Sequence, residues 1–131
     1  MNKLYDLEKC FEYENGFYAT ADPSRFSKFV SHLEFFKRTS NIRGEILEFG
    51  IFKGNSFFRW IKFRDLLEQT SSRKIIGFDI FGDFPEANFE EDKLKRDAFV
   101  KETNGGKSIT YDEITELLKK QNLQKNVEII K

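Results

Sequence analysis

Gly44-Glu-Ile-Leu-Glu-Phe-Gly-Ile-Phe-Lys-Gly-Asn-Ser56 decides how this chain folds. Glu45–Phe49 reads as a buried strand, Gly50–Gly54 as a tight glycine loop and Asn55 as the start of a helix. Lys74-Ile-Ile-Gly-Phe-Asp79 follows, with a second strand at Ile75–Phe78 that ends in an acid. Strand, glycine loop, helix, strand, acid is the order in which a Rossmann-like half-domain builds a nucleoside site. The glycines let backbone N–H groups come close to a ligand, and the acid can accept from two ribose hydroxyls.

Outward from this unit, the pattern stays α/β. Asp22-Pro23 marks a helix start, since Asp caps and Pro suits the first turn. From Arg25 to Thr39, Phe26, Phe29, Val30, Leu33 and Phe36 recur at helical spacing. Asn41–Gly44 is a turn. Asn55–Glu68 is a helix with Phe58, Ile61, Phe63 and Leu66 among its apolar residues, and Gln69–Arg73 is a polar connection. Residues 81–85 form a loop over the end of the second strand, where ligands sit in open α/β sheets. Asn88–Lys101 is a charged surface helix, and residues 104–106 are a break. Thr110-Tyr-Asp-Glu113 has capping-box spacing, with Ile114, Leu117 and Leu118 on one following face. Val127–Ile130 is a third strand. Residues 1–21 are polar and aromatic without a period, and read as a loop or short helix.

Strands alternating with helices imply a parallel sheet flanked by helices. Residues 1–43 are then a leading helical segment, and residues 44–131 carry the first three strands of a Rossmann-like domain. Three strands running outward from the first leave its other side bare. An apolar edge of that kind invites pairing, so a longer chain, a second copy or another partner is expected to cover it.

The chain has 131 residues, enough for one modest core. Lys plus Arg is 22 and Asp plus Glu is 22, which argues against a nucleic-acid protein held by a broad basic field. A local basic patch remains compatible with that balance. No apolar run approaches the roughly 18 residues of a membrane-spanning helix. Cys10 stands alone, so no internal disulfide or cysteine zinc site is expected, and a cytoplasmic setting is the simplest reading. Sixteen Phe residues supply much of the apolar volume, with some expected at a pocket or interface.

The loop lacks the third glycine of a dinucleotide fingerprint and the Gly-Lys-Ser/Thr ending of a phosphate loop. A nucleoside ligand without phosphates therefore fits it best, and S-adenosylmethionine is one. Glu48 can face its cationic end, Gly50 and Gly54 admit the backbone, and Ser56 with the helix N-terminus can donate to its carboxylate. Asp79 can hold its ribose. The glycines and Asp79 also have plainer roles, the glycines in tight packing and Asp79 as a helix or turn cap. His32 reads as a surface or packing histidine, and Glu90, Glu91 and Asp92 as a solvated helix start. Lys62 and Arg64 beside Trp60 offer only a weak nucleic-acid face. Phe11, Tyr13, Phe17 and Tyr18 suit either a lid or an interface.

These motifs resemble the macrocin O-methyltransferase family, S-adenosylmethionine-dependent class I enzymes, many of which methylate sugar hydroxyls. The resemblance rests on Gly44–Ser56, on Gly77-Phe-Asp-Ile-Phe-Gly-Asp-Phe-Pro85, and more loosely on Tyr18-Ala-Thr-Ala-Asp-Pro-Ser-Arg25. It implies that Glu48, Gly50, Gly54, Ser56 and Asp79 line the cofactor site, with Lys53 near the methionine carboxylate. It implies a small-molecule acceptor such as a sugar. The family's magnesium ligands and catalytic base follow the third strand and have no counterpart here. The alternative to an enzyme is a non-catalytic, truncated methyltransferase-like unit that acts as a subunit or scaffold.

Overall fold

The computed structural model describes residues 3–83, 86–103 and 105–131. The expected loop at 81–85 and break at 104–106 therefore lie partly outside the described residues. A 3-10 turn at Leu7–Lys9 leads into α1 (Cys10–Thr20) and α2 (Pro23–Arg38). Then come β1 (Ile46–Phe49), α3 (Asn55–Leu67), β2 (Ile75–Phe78), α4 (Glu90–Glu102), α5 (Tyr111–Lys120) and β3 (Val127–Ile130). The strands form one parallel sheet in the order β1-β2-β3, as the alternation of elements predicts.

Local chemistry explains the helix ends. The Asp22 carboxylate accepts from the Ser24 amide at 2.9 Å, with Pro23 in the first turn of α2. Thr110 Oγ1 accepts from the Glu113 amide at 3.1 Å, the bond its spacing foretold at the start of α5. Gly54 opens α3 with φ +88°, in the left-handed region that glycine enters without strain.

Sheet register sorts the side chains. Ile46 and Glu48, Ile75 and Gly77, and Val127 and Ile129 share one face. Phe57 and Ile61 of α3 and Ile114, Leu117 and Leu118 of α5 pack on that face with Ile51 and Ile109. Fully burying one such side chain contributes about 1.5–3 kcal/mol. Gly77 is a fitted part of this layer: a Cβ there would lie 2.6 Å from Phe57 and 2.8 Å from Ile51. The opposite face carries Leu47, Phe49, Ile76, Phe78 and Ile130, and stays open at Phe49 (75 % exposed), Leu47 (48 %) and Ile130 (37 %).

One expectation is sharpened and one changes. Of the loop or short helix expected within residues 1–21, residues 10–20 form a regular helix, with every residue of α1 exposed and so no apolar period to read. Leu66, expected among the apolar residues of α3, is 80 % exposed, while the neighbouring Arg64 is fully buried. Arg64 donates at 2.8 Å to the carbonyls of Arg73, Lys125 and Asn126, and so ties together the starts of β2 and β3. That burial removes it from any nucleic-acid face.

The residues before α1 strap onto α5. The Glu113 carboxylate accepts from the amides of Leu4 and Tyr5 at 2.6 and 2.9 Å. Hydrogen bonds from Lys120 and Lys3 hold the exposed Glu116 carboxyl down to about 2. No helix among the described residues is long and apolar enough to cross a membrane.

Candidate functional site

A cleft of about 500 Å³ opens at the C-terminal ends of all three strands. Phe49 and Gly50 border it from β1, Phe78, Asp79 and Ile80 from β2, and Ile130 from β3. Its floor is the end row of the open sheet face, where the Phe49 and Phe78 rings stack 4.9 Å apart. Its polar rim is short: Asp79, Asp83, Ser108 and Lys131.

Asp79 organises the site. Its Oδ2 accepts from the amides of Ile51 at 2.6 Å and Phe52 at 2.9 Å, and its Oδ1 from the amide of Phe81 at 2.9 Å. The carboxylate thus clamps the glycine loop to the loop that follows β2. Phe52 and Phe81 sit at φ +53° and +51°, a conformation that costs a phenylalanine free energy and persists where partners enforce it. The Phe52 carbonyl also accepts from the Ile109 amide at 2.8 Å, which fixes the loop from a third side. Each carboxylate oxygen has more than one acceptor position, so Asp79 can still receive a ligand hydroxyl.

Of the six residues singled out in the sequence, Gly50 and Asp79 border the cleft. At Gly50, φ is +87° and the space where a Cβ would stand is open, so a close approach of ligand to backbone is available there. Glu48 points to the helix-covered side, where its Oε2 accepts from Trp60 Nε1 at 2.9 Å. Gly54 is buried against Phe58, whose ring would lie 2.6 Å from an added Cβ. Lys53 donates to the Thr103 carbonyl at 3.3 Å, and its own carbonyl accepts from Tyr5 Oη at 2.8 Å. Ser56 is half-buried in the first turn of α3, outside the lining of the cleft.

Sequence reasoning missed Phe52, Phe78, Ile80 and Ile130 as cleft residues. The signal available was position, at or just past a strand end for Phe78, Ile80 and Ile130 and inside the glycine loop for Phe52. Phe17 and Tyr18, candidates for a lid, sit instead against Phe26 with centroids 5.3 and 5.8 Å away. His32 stacks on Trp60 at 4.5 Å, and its Nδ1 lies 3.1 Å from Arg59. Burial first, then Arg59 and Lys28, lower its pKa against an opposing effect of Glu48. No group of three or more His, Cys, Asp or Glu among the described residues could hold a metal ion.

No family model matches the chain, and no curated protein does. Solved structures do resemble it. The crystal structure of CalS11, a calicheamicin methyltransferase, superposes with a TM-score of 0.64 at 18 % identity, over 99 % of this chain and 52 % of that one. The apo structure of CalS11, described as a TDP-rhamnose 3'-O-methyltransferase of calicheamicin biosynthesis, gives 0.49 at 18 % identity, over 99 % and 50 %. The first likeness establishes the fold: the chain has the architecture of the N-terminal half of a methyltransferase Rossmann-like domain. It spans about half the length of the structures it matches.

Proposed function

We propose that this chain binds S-adenosylmethionine and forms the cofactor-binding part of an O-methyltransferase with a small-molecule acceptor, a sugar hydroxyl in the first instance. Residues 44–131 carry the cofactor site in this reading, and residues 1–43 are the helical segment leading into it. The carrying observation is the glycine loop held by Asp79 over a cleft at the strand ends. A flat adenine suits the phenylalanine floor, and the free face of Gly50 suits the ligand's backbone-contacting part. Asp79 would accept from ribose with the acceptor positions its amide bonds leave. The methyl donor's sulfonium is the reacting centre when the cofactor is bound, and an acceptor must lie in line with it. The methyltransferase architecture of CalS11 supports the same assignment.

A second reading has its own observation. Glu48 and Asp79, the two acids meant for the cofactor, are engaged by Trp60 and by three backbone amides. A non-catalytic methyltransferase-like unit that works by association would have that arrangement. Calorimetric titration with S-adenosylhomocysteine, with light scattering on the same sample, separates the two. Saturable binding to a dispersed, folded chain is the expected result. A folded chain that takes up no ligand would leave the scaffold reading.

A further inference from the structure

A second cleft, of about 590 Å³, lies between α2 and α3 under the end of α1. Arg25 and Lys28 reach it from α2, and Arg59 and Lys62 from α3. Among the described residues, no Asp or Glu lines it. In a chain whose acids and bases balance at 22 each, four cations facing one cavity without a carboxylate is a local segregation of charge. Six aromatic rings supply most of the remaining wall, Tyr18 and Phe29 among them.

The spacing makes this a built surface. Arg25 and Lys28, and likewise Phe26 and Phe29, lie three apart on α2, so one helical face alternates charge and ring. On α3, Asn55, Arg59 and Lys62 recur at helical intervals. Arg59 is anchored, its Nη1 lying 3.1 Å from His32 Nδ1 and its Cζ 5.8 Å from the Phe29 ring centroid. Burial pushes its pKa down, and Arg25 adds to this against an opposing effect of Glu48.

We propose that this cleft is a second ligand site and that its occupant is a nucleoside diphosphate. Guanidinium groups hold phosphate oxygens in pairs, and ammonium groups add point charge around them. A nucleobase stacks on aromatic rings irrespective of its identity. The cavity has the volume of a small-molecule site and is walled by rings, whereas a polyanion or membrane would be met by a broad basic surface. The proposal stands apart from the cofactor reading, because the two clefts share no lining residue.

Trp60 is the chain's single tryptophan; it packs against Phe63 of the cleft wall and stacks on His32, which contacts Arg59 of that wall, so its fluorescence reports on occupancy. The test is a titration with uridine diphosphate, followed by Trp60 emission and by calorimetry, with pyrophosphate and uridine as separate probes. Saturable binding of the diphosphate, tighter than either part alone, is expected. Arg25→Gln with Lys28→Gln should weaken it about tenfold, while Lys119→Gln on the distant α5 leaves it unchanged. Arg25, Lys28 and Lys119 are exposed, so these variants should keep the native circular dichroism. Neither heat nor fluorescence change would overturn the proposal, as would binding that ignores Arg25 and Lys28. Pyrophosphate binding as tightly as the diphosphate would remove the nucleoside, and uridine doing so would remove the phosphates. Displacement by S-adenosylhomocysteine would merge the two sites and end the claim of a second one. Failure of S-adenosylhomocysteine to bind at all would bear only on the cofactor reading.

Discussion

Asp79 concentrates more of the site's geometry than any other side chain. It receives three amides from two loops, and two of those amides belong to phenylalanines in the left-handed region. Asp79→Ala should therefore release both loops at once. We expect a loss of roughly 2–3 kcal/mol in urea unfolding, from several charge-assisted bonds with partly offsetting hydration. Affinity for S-adenosylhomocysteine should fall with it. A loss below about 0.5 kcal/mol would mean that solvent satisfies those amides equally well. The position of Asp79 directly after β2 was legible in the sequence, because an acid closing a strand has a definite position at the end of the sheet. Its partners were not legible. They depend on positive φ at Phe52 and Phe81, and phenylalanine carries no preference for that conformation.

Among the elements, the three strands and the helices α2 to α5 were readable. Strand apolarity, the Gly50–Gly54 loop and the capping residues each force a local choice that tertiary structure keeps. The helix α1 was read only as a loop or short helix, because nothing among the described residues buries it and it carries no apolar period. Glu48 was placed in the right strand but given the wrong neighbour, since strand alternation alone does not say which face α3 will cover. Its bond to Trp60 begins a chain of contacts that continues through His32 to Arg59. That chain has a pH dependence. The folded-state pKa of His32 lies below its ordinary 6.5, so the unfolded chain binds the proton more readily. Its contribution to stability is complete above pH 6.5 and is lost as pH falls through the folded value. Trp60 emission should follow the same titration, with an inflection below 6.5 that His32→Gln removes. An inflection at 6.5 or above, or one that survives in His32→Gln, would show that the stacked ring does not govern it. Gly77 gives a second element-scale test. Gly77→Ala drives a methyl into Phe57 and Ile51 and should cost about 1–3 kcal/mol by overpacking, measured as a lowered unfolding midpoint.

At the scale of the whole molecule, the sheet is dressed on one side. Parallel sheets are ordinarily covered on both faces, and here Leu47, Phe49 and Ile130 face outward. Sequence reasoning anticipated a bare β1 edge from strand order. It did not anticipate a bare face, because the burial pattern of four-residue strands cannot reveal what lies on each side. Leu47→Lys should reduce concentration-dependent association in light scattering and change stability by no more than about 0.5 kcal/mol. Unchanged association would direct attention to the aromatic surface of α1 instead.

The buried Arg64 has a consequence in time. Its guanidinium joins the carbonyl of Arg73, 9 residues along the chain, to those of Lys125 and Asn126, 61 and 62 residues along. Those last two acceptors are positioned only when β3 has reached the sheet, so we expect the latch to close late in folding. A group that engages after the transition state governs escape from the native state and leaves the rate of reaching it untouched. Arg64→Met should then speed unfolding by about thirtyfold for a loss near 2 kcal/mol, with refolding almost unchanged. Arg64 would thus set the lifetime of the fold.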